Sequence, residues 1–180
     1  MPRCKDSGRL GMIPDTPGVD ALAEPGSLAG GVPLGYAGSM SSITEVIRLH
    51  ADGASRGNPG PAAYGFVLLA SDGTALFEGG ESIGETTNNI AEYTGLIAGL
   101  EKALELGLRM LEVRLDSELV VRQLSGQYRV RNEGLKPLFA RAAALCEKFE
   151  SIDIQHVGRN ENKLADALAN AALNRASAKS

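Results

Sequence analysis

Four acidic residues stand at positions from which their side chains could do chemistry together: Asp52, Glu92, Asp116 and Asp166. Asp52 and Asp116 each end a predicted strand, and parallel neighbouring strands present such side chains at the same edge of a sheet. A carboxylate cluster without basic partners suits hard cations, because Mg²⁺ prefers oxygen ligands and keeps part of its water shell. The four residues therefore form a candidate magnesium site. The alternative is that they never converge and are separate solvated charges or acids at helix ends.

The pattern of apolar residues places these acids on strands and helices. Alternation of apolar and polar residues predicts strands, helical spacing predicts helices, and clusters of Gly and Pro mark loops. The predicted strands are 46–52, 62–70, 74–81, 112–116 and 152–157, and residues 53–61 are predicted to be a tight loop. The predicted helices run from the capping residues 86–88 to Gly107, from Ser117 to Leu124, over 135–149 and over 164–173.

Three antiparallel strands, followed by strands that alternate with helices, predict an α/β fold. We expect a mixed five-stranded sheet, with three antiparallel strands and then parallel strands, and with helices on its faces. Asn88 and Glu92 are four residues apart and so share one face of their helix. Asp166 lies off the apolar stripe of the last helix, which consists of Leu164, Leu168 and Ala172.

Composition limits the class of protein. The chain has 180 residues, of which 43% are apolar and 22% charged, as is typical of a soluble domain with one core. No stretch approaches the roughly 20 apolar residues of a transmembrane helix, so we expect no membrane partner. The net charge of -4 argues against a generally basic nucleic-acid surface. Cys4 and Cys146 match no disulfide framework or zinc site, and we expect reduced thiols and a cytoplasmic location.

The first 42 residues differ in character from the rest of the chain. They hold eight of the 22 glycines and five of the eight prolines, without a period of 2 or 3.6. Such a segment cannot bury enough apolar surface to offset the entropy of ordering, so residues 1–42 are predicted to be a disordered tail and residues 43–180 the folded domain. Met40 stands next to the patterned region. An over-extended start and a functional linker are therefore equally good interpretations of residues 1–42.

Four motifs in one order carry a resemblance to a known family. They are DGASRGNPGP at 52–61, TTNNIAEYTGLIAGLE at 86–101, RLDSELVVRQL at 114–124 and HVGRNENKLADALAN at 156–170. Together they resemble type I ribonuclease H over about residues 46–175. The Gly-rich loop alone would be weak evidence, because it fits neither GxxxxGK[ST] nor GxGxxG.

The resemblance implies an RNase H-like fold that hydrolyses the RNA strand of an RNA/DNA hybrid. Asp52, Glu92, Asp116 and Asp166 match the family's catalytic carboxylates, which hold two Mg²⁺ or Mn²⁺ ions. Such a pair of ions activates water and stabilises the leaving oxygen. The products would carry 5'-phosphate and 3'-hydroxyl ends, and we expect a monomer whose partner is the hybrid.

The resemblance also assigns substrate contacts, because a reader of hybrids must recognise 2'-hydroxyl groups. Backbone atoms of residues 53–60, which include Gly53 and Ser55, and the amide of Asn88 match the family's minor-groove contacts. Asn58 and Thr87 match positions near a phosphate of the DNA strand, and Arg129 and Arg131 are further basic candidates. For Thr87 and Asn88 the competing interpretation is simple helix capping, and both roles can coexist. For Arg129 and Arg131 the competing interpretation is that they belong to a solvated loop.

The sequence departs from the family in three places. It lacks the basic, Trp-containing extension that many bacterial members insert before residue 135, and it has Glu118 where many have Gln. His156 stands ten residues before Asp166, as the family's proton-shuttling histidine does, but it also ends a predicted strand. We favour a structural role for His156 and expect Arg159 to assist catalysis. The rival functions are a DNA nuclease of the same fold and a hybrid-binding module that does not cleave.

Overall fold

The computed structural model describes residues 46–178. The strands are β1 (Ile47–Ser55), β2 (Gly60–Leu69), β3 (Ala75–Thr86), β4 (Met110–Leu115) and β5 (Ser151–His156). The helices are α1 (Asn88–Glu105), α2 (Glu118–Leu124), α3 (Lys136–Cys146) and α4 (Lys163–Ser177), with a short 3₁₀ turn at Arg159–Glu161. The predicted tail of residues 1–42 lies outside the described residues, so its boundary with the domain stays a prediction.

The five strands form one mixed sheet in the order β3-β2-β1-β4-β5. β2 pairs antiparallel with β1 and β3, whereas β4 pairs parallel with β1 and β5. The predicted fold class is therefore confirmed. Because β1 and β4 are parallel neighbours, the residues that follow them emerge at the same edge.

The predicted end of the first strand was wrong. β1 continues past Asp52 to Ser55, and its last residues pair with residues 62–64 of β2. β3 likewise runs five residues past its predicted end, since its partner β2 begins at Gly60. Only residues 56–59 form the loop, which we call the 56–59 loop. The glycines suggested a longer loop, but Gly53 pairs with Tyr64 of β2 and Gly60 pairs with Thr86 of β3, so these two lie in the sheet.

Helix α1 packs closely on β1 because two glycines, Gly95 and Gly99, lie on its inner face. A Cβ at Gly99 would lie 2.4 Å from Cδ1 of Leu49, and a Cβ at Gly95 would lie 3.0 Å from the main-chain oxygen of Asp52. The helix begins as predicted at the N-cap Thr87, whose Oγ1 accepts a hydrogen bond from the amide of Ile90. This close packing brings the first turns of α1 to the strand edge.

Helix α4 covers the opposite face of the sheet, over β2 and β1. A Cβ at Gly65 would lie 2.4 Å from the amide nitrogen of Ala169 and 2.5 Å from the oxygen of Ala165. The predicted stripe of α4 was therefore wrong in part, since Leu164 is 53% exposed. The buried residues of α4 are Ala165, Ala169, Ala172 and Leu173. Alanine is buried here in place of leucine because only a small side chain allows this approach.

The main core lies between the sheet and the helices α1, α2 and α3. It is built from buried residues of β1, β2, β4 and α1, among them Leu49, Leu68, Leu96 and Val113. The hydroxyl of buried Tyr93 donates a 2.8 Å hydrogen bond to Gln123 and so joins α1 to α2. None of the helices within residues 46–178 combines the length and the apolar character needed to cross a membrane.

Candidate active site

Asp52 lies within β1 with only 5% of its surface exposed. The amide of Gly53 donates a 2.8 Å hydrogen bond to Oδ1 of Asp52, which fixes the direction of the carboxylate. A Cβ at Gly53 would lie 2.3 Å from the amide nitrogen of Glu92, a distance that real Cβ atoms do not show. Glycine at this position therefore allows α1 to contact β1 directly beside Asp52.

Glu92 reaches the same edge from α1. Its side chain is buried and accepts a 3.3 Å hydrogen bond from Nδ2 of Asn88, one turn earlier in the helix. The predicted common face of Asn88 and Glu92 is thus present. This bond holds one oxygen of the Glu92 carboxylate.

Asp116 follows β4 directly and completes a cluster of three carboxylates. Ala51 of β1 pairs with Leu115 of β4, so Asp52 and Asp116 emerge side by side. One carboxylate oxygen from each of Asp52, Glu92 and Asp116 lies within 4.8 Å of the others. Three of the four predicted acids therefore converge at one point.

Asp166 approaches this cluster from the first turn of α4. It is exposed, and it lies close enough to Asp52 for its charge and a side-chain hydrogen bond to raise the pKa of Asp52. It does not belong to the group of three mutually close oxygens. Asp166 therefore borders the cluster on its solvent side.

Burial and the neighbouring negative charges make Asp52 and Glu92 difficult to ionise. Burial, followed by the charge of Asp116, raises the pKa of Asp52 to about 7. Burial, followed by the charges of Asp52 and Asp116, raises the pKa of Glu92 to about 9. Carboxylates that repel one another in this way gain stability from a cation placed among them.

Asn162 is a site residue that sequence analysis missed. Its side chain is 1% exposed, and its Nδ2 donates to Oδ1 of Asp116 at 2.7 Å and to the main-chain oxygen of Ala51 at 2.9 Å. It stands immediately before α4, where an asparagine is usually a helix cap, but its side chain makes no capping hydrogen bond. In the sequence, the only indication that Asn162 belongs to the site was its position four residues before Asp166.

His156 and Arg159 both lie beside Asp116, in different ways. Nε2 of His156 donates to the main-chain oxygen of Asp116 at 3.2 Å, and the imidazole is exposed at the end of β5. Nε of Arg159 lies 3.7 Å from Oδ2 of Asp116, on a side chain that is 92% exposed. Arg159 thus faces the carboxylate and His156 the backbone. Their catalytic roles stay predictions.

The predicted substrate contacts surround the start of α1. Oδ1 of Asn58, in the 56–59 loop, accepts a hydrogen bond from the amide of Asn88 at 3.2 Å. The hydroxyl of Ser55 donates to Oδ1 of Asn88 at 3.5 Å. Thr87 caps the helix beside them, so the capping interpretation holds for Thr87 and leaves a substrate role open.

The loop between α2 and α3 carries the two basic candidates. Arg129 and Arg131 are exposed and form no ion pair with any residue in the part of the chain described. Gly134 of the same loop approaches Ile90, in the first turn of α1, so the loop lies on the same side as Asn88. Glu118, which replaces the expected glutamine, pairs with Arg122 at 2.5 Å.

The cluster fits a hard divalent cation. It offers several carboxylate oxygens in a small volume, which is the donor set that Mg²⁺ and Mn²⁺ prefer. Among residues 46–178, Arg159 alone approaches it within ion-pair distance, and this arginine contacts Asp116 from the solvent side. Asp52 and Glu92 therefore have no basic side chain to neutralise them and are available as ligands.

Comparison with known proteins assigns this arrangement to a family. A family profile described as "Reverse transcriptase-like" matches residues 50–172. Ribonuclease HI of Halobacterium salinarum is 49% identical over 144 residues, covering 76% of this chain and 72% of that protein. The bifunctional protein Rv2228c of Mycobacterium tuberculosis is 48% identical over 129 residues, but the match covers only 35% of its length and 71% of this chain.

Solved structures agree with the sequence matches. The N-terminal RNase H domain of the same mycobacterial protein superposes with a TM-score of 0.73 at 45% identity, covering 76% of this chain and 99% of that one. LC11-RNase H1, crystallised in complex with an RNA/DNA hybrid, gives a TM-score of 0.69 at 43% identity, with 72% of this chain and 98% of that chain covered. The chain therefore belongs to the type I ribonuclease H family of nucleases.

Proposed function

We propose that this nuclease hydrolyses the RNA strand of RNA/DNA hybrids with the aid of two divalent metal ions, Mg²⁺ or Mn²⁺, and leaves 5'-phosphate and 3'-hydroxyl ends. The observation that carries the proposal is the convergence of Asp52, Glu92 and Asp116 within 4.8 Å at the sheet edge. The hybrid bound to LC11-RNase H1, a structure 43% identical to this chain, supports the choice of substrate.

The metal ligands in this proposal are Asp52, Glu92, Asp116 and Asp166. The first three are held by the hydrogen bonds and glycine contact described above, and Asp166 borders them on the solvent side. Bound divalent ions would supply Lewis-acid charge and would activate water at neutral pH. Because the side chains are fixed before substrate arrives, little reorganisation is needed when the phosphodiester binds.

Strand selection rests on the groups around the start of α1. The side chain of Asn88 donates to Glu92 of the cluster, and Asn58 of the 56–59 loop accepts a hydrogen bond from the amide of Asn88, so the loop and Asn88 can contact sugars near the cleaved bond. A 2'-hydroxyl both donates and accepts hydrogen bonds, so amide groups of this kind can distinguish RNA from DNA. Asn58, Thr87 and the exposed Arg129 and Arg131 would contact the nucleic-acid backbone.

A cleavage assay on matched duplexes tests the proposal. Duplexes of one sequence are prepared as RNA/DNA, RNA/RNA and DNA/DNA, each with a labelled strand, and incubated with Mg²⁺. We expect rapid cleavage of the RNA in the hybrid, slow or no cleavage of the others, and products with 5'-phosphate ends. Cleavage of DNA/DNA at an equal rate would favour the rival DNA nuclease, and binding of the hybrid without cleavage would favour the binding module.

Two accompanying assignments come from the sequence and stay predictions. They are a cytoplasmic location and a monomeric state. Light scattering of the purified chain, with and without hybrid, tests the second of these.

A further inference from the structure

The end of helix α4 holds the 56–59 loop through one arginine. Nη1 of Arg56 donates a 3.0 Å hydrogen bond to Oγ of Ser177, and Nη2 donates to Oδ1 of Asn174. These partners are more than 110 residues away in sequence, since the separations are 121 and 118 residues. Arg56 therefore links the beginning of the chain's functional region to its last helix.

The two acceptors on α4 are themselves well placed. Ser177 donates its own hydroxyl proton to the oxygen of Leu173 at 3.1 Å, which leaves its lone pairs for Arg56. Asn174 and Ser177 are three residues apart and so lie on one face of the helix. In the same turn, Arg175 donates to the main-chain oxygen of Gly80 and fastens α4 to β3. This end of α4 is thus a fixed support.

Two contacts close the 56–59 loop on itself, in addition to the link through the side chain of Arg56. The amide of Arg56 donates to the oxygen of Pro61 at 2.8 Å, which closes the loop. A Cβ at Gly60 would lie 2.1 Å from the main-chain oxygen of Arg56, so the two ends of the loop are in direct contact. Movement of Arg56 must therefore displace Asn58, whose side chain binds the amide of Asn88.

We propose that Arg56 is a positioning residue for hybrid binding, and that Asn174 and Ser177 hold the 56–59 loop through it in the conformation that contacts the RNA strand. The inference rests on the proposed function, in which that loop contacts the hybrid. Helix α4 then contributes to the site at both of its ends. Asp166 borders the carboxylates near its start, and Asn174 supports the loop eight residues, or about 12 Å, further along.

The alternative is that Arg56 contacts a phosphate directly. Its two terminal nitrogens are instead occupied by neutral oxygens of this chain. A guanidinium used in this way acts through its fixed, forked geometry, whereas a phosphate contact depends mainly on charge. Lysine keeps the charge without the fork, so the two roles respond differently to Arg56→Lys.

The test measures kcat and KM for an RNA/DNA hybrid in Arg56→Ala, Arg56→Lys, Asn174→Ala and the double variant Arg56→Ala/Asn174→Ala. We expect KM to rise about 10-fold in Arg56→Ala at unchanged kcat, because the loop must then be ordered at the expense of binding energy. Arg56→Lys should resemble Arg56→Ala. Asn174→Ala should raise KM by a smaller factor, and the double variant should be no worse than Arg56→Ala.

Two control variants separate positioning from general effects. Arg141→Ala removes an exposed arginine that pairs with Glu101 elsewhere, so it tests loss of charge. Arg175→Ala loosens the attachment of α4 to β3 without contacting the loop, so it should raise KM less than Arg56→Ala does. Arg141→Ala should keep the wild-type KM. All assays are run well below the melting temperature of each variant.

Amide hydrogen exchange without substrate provides a readout that does not depend on activity. The amides of Arg56 and Asn88 are hydrogen-bonded within and beside the loop, and Arg56→Ala should accelerate their exchange about 10-fold. A wild-type KM in Arg56→Lys, additive effects in the double variant, or unchanged exchange would each overturn the inference. Failure of the wild-type chain to cleave any hybrid would refute the proposed function, while the exchange data would still decide whether Arg56 holds the loop.

Discussion

Nδ2 of Asn162 lies 2.7 Å from Oδ1 of Asp116, and the same nitrogen donates to the main-chain oxygen of Ala51. One buried amide thus joins the start of α4 to β1 and to the residue that follows β4. Because Asp116 receives this bond on Oδ1, its other oxygen is free to face the cluster or Arg159. Asn162 therefore orients a candidate metal ligand without being one itself.

Replacing Asn162 with alanine should weaken both the site and the fold. Removal of the amide takes one hydrogen-bond partner from the buried main-chain oxygen of Ala51, which costs about 1 to 3 kcal/mol of stability. Loss of an orienting partner commonly lowers metal affinity about 10- to 100-fold. Thermal unfolding and the Mg²⁺ concentration for half-maximal cleavage measure the two effects. Unchanged Mg²⁺ dependence in a folded Asn162→Ala variant would contradict the orienting role.

Gly53→Ala should damage the site through a steric clash. The new Cβ would lie 2.3 Å from the amide nitrogen of Glu92, so α1 must move away from Asp52. Overpacking of this kind costs about 1 to 3 kcal/mol, and the shift of Glu92 should lower kcat as well. The matched control is Gly158→Ala, whose Cβ would have its nearest neighbour at 3.9 Å. Equal melting temperatures and rates for the two variants would show that β1 and α1 are not in such close contact.

The stability of the metal-free protein should fall as the pH rises. In the folded state the pKa of Asp52 is raised to about 7 and that of Glu92 to about 9, above their values of about 4 in an unfolded chain. Between these values the native state binds more protons than the unfolded state. The stability contributed by these two groups is therefore greatest below about pH 4, and it is lost as the pH rises through about 7 for Asp52 and about 9 for Glu92.

Chemical unfolding at pH 5 and pH 8.5 in the presence of EDTA measures this loss. The wild type should lose about 3 kcal/mol more than Asp52→Asn, since about two pKa units separate pH 5 from the pKa of Asp52 and each corresponds to about 1.4 kcal/mol. Addition of Mg²⁺ at pH 8.5 should restore stability to the wild type more than to Asp52→Asn. A wild type and an Asp52→Asn variant with the same pH dependence would rule out the repulsion among these carboxylates.

The variants His156→Ala and Arg159→Ala should differ in what they lose. Arg159 is 92% exposed, so its removal should leave stability unchanged but lower kcat, because its nitrogen lies near Oδ2 of Asp116. His156 contacts only the main chain of Asp116, and we expect His156→Ala to affect stability more than kcat. A shuttle would instead make His156→Ala about 10² to 10⁴ slower at unchanged stability, and that result would reverse our assignment.

Convergence of Asp52 and Asp116 was predicted from the sequence on the condition that their strands are parallel neighbours. The pairing of Ala51 with Leu115 meets that condition, although β1 runs on to Ser55. The helical spacing from Asn88 to Glu92 also held. The features that sequence analysis missed depend on close contact between elements that are far apart along the chain. Gly53 resembled a loop residue, and only the contact with α1 explains it.

The same reason accounts for the two other differences. Leu164 was expected in the apolar stripe of α4, but the helix lies so close to Gly65 that alanines are buried instead. Asn162 was not identified because an asparagine before a helix is usually a cap. Its partners, Ala51 and Asp116, meet it only after α4 has packed on the sheet. Local periodicity does not encode such distances.

The most direct measurement compares hybrid cleavage and hybrid binding in the wild type and in Asp52→Asn, using RNA labelled at its 5' end and Mg²⁺ in excess. The substitution keeps the shape of the side chain and removes its charge. We predict that Asp52→Asn binds the hybrid with a Kd close to that of the wild type and cleaves it at least about 10³-fold more slowly, since it loses a metal ligand. A folded Asp52→Asn variant that cleaves the RNA strand at the wild-type rate would contradict the assignment of this cluster as the catalytic metal site.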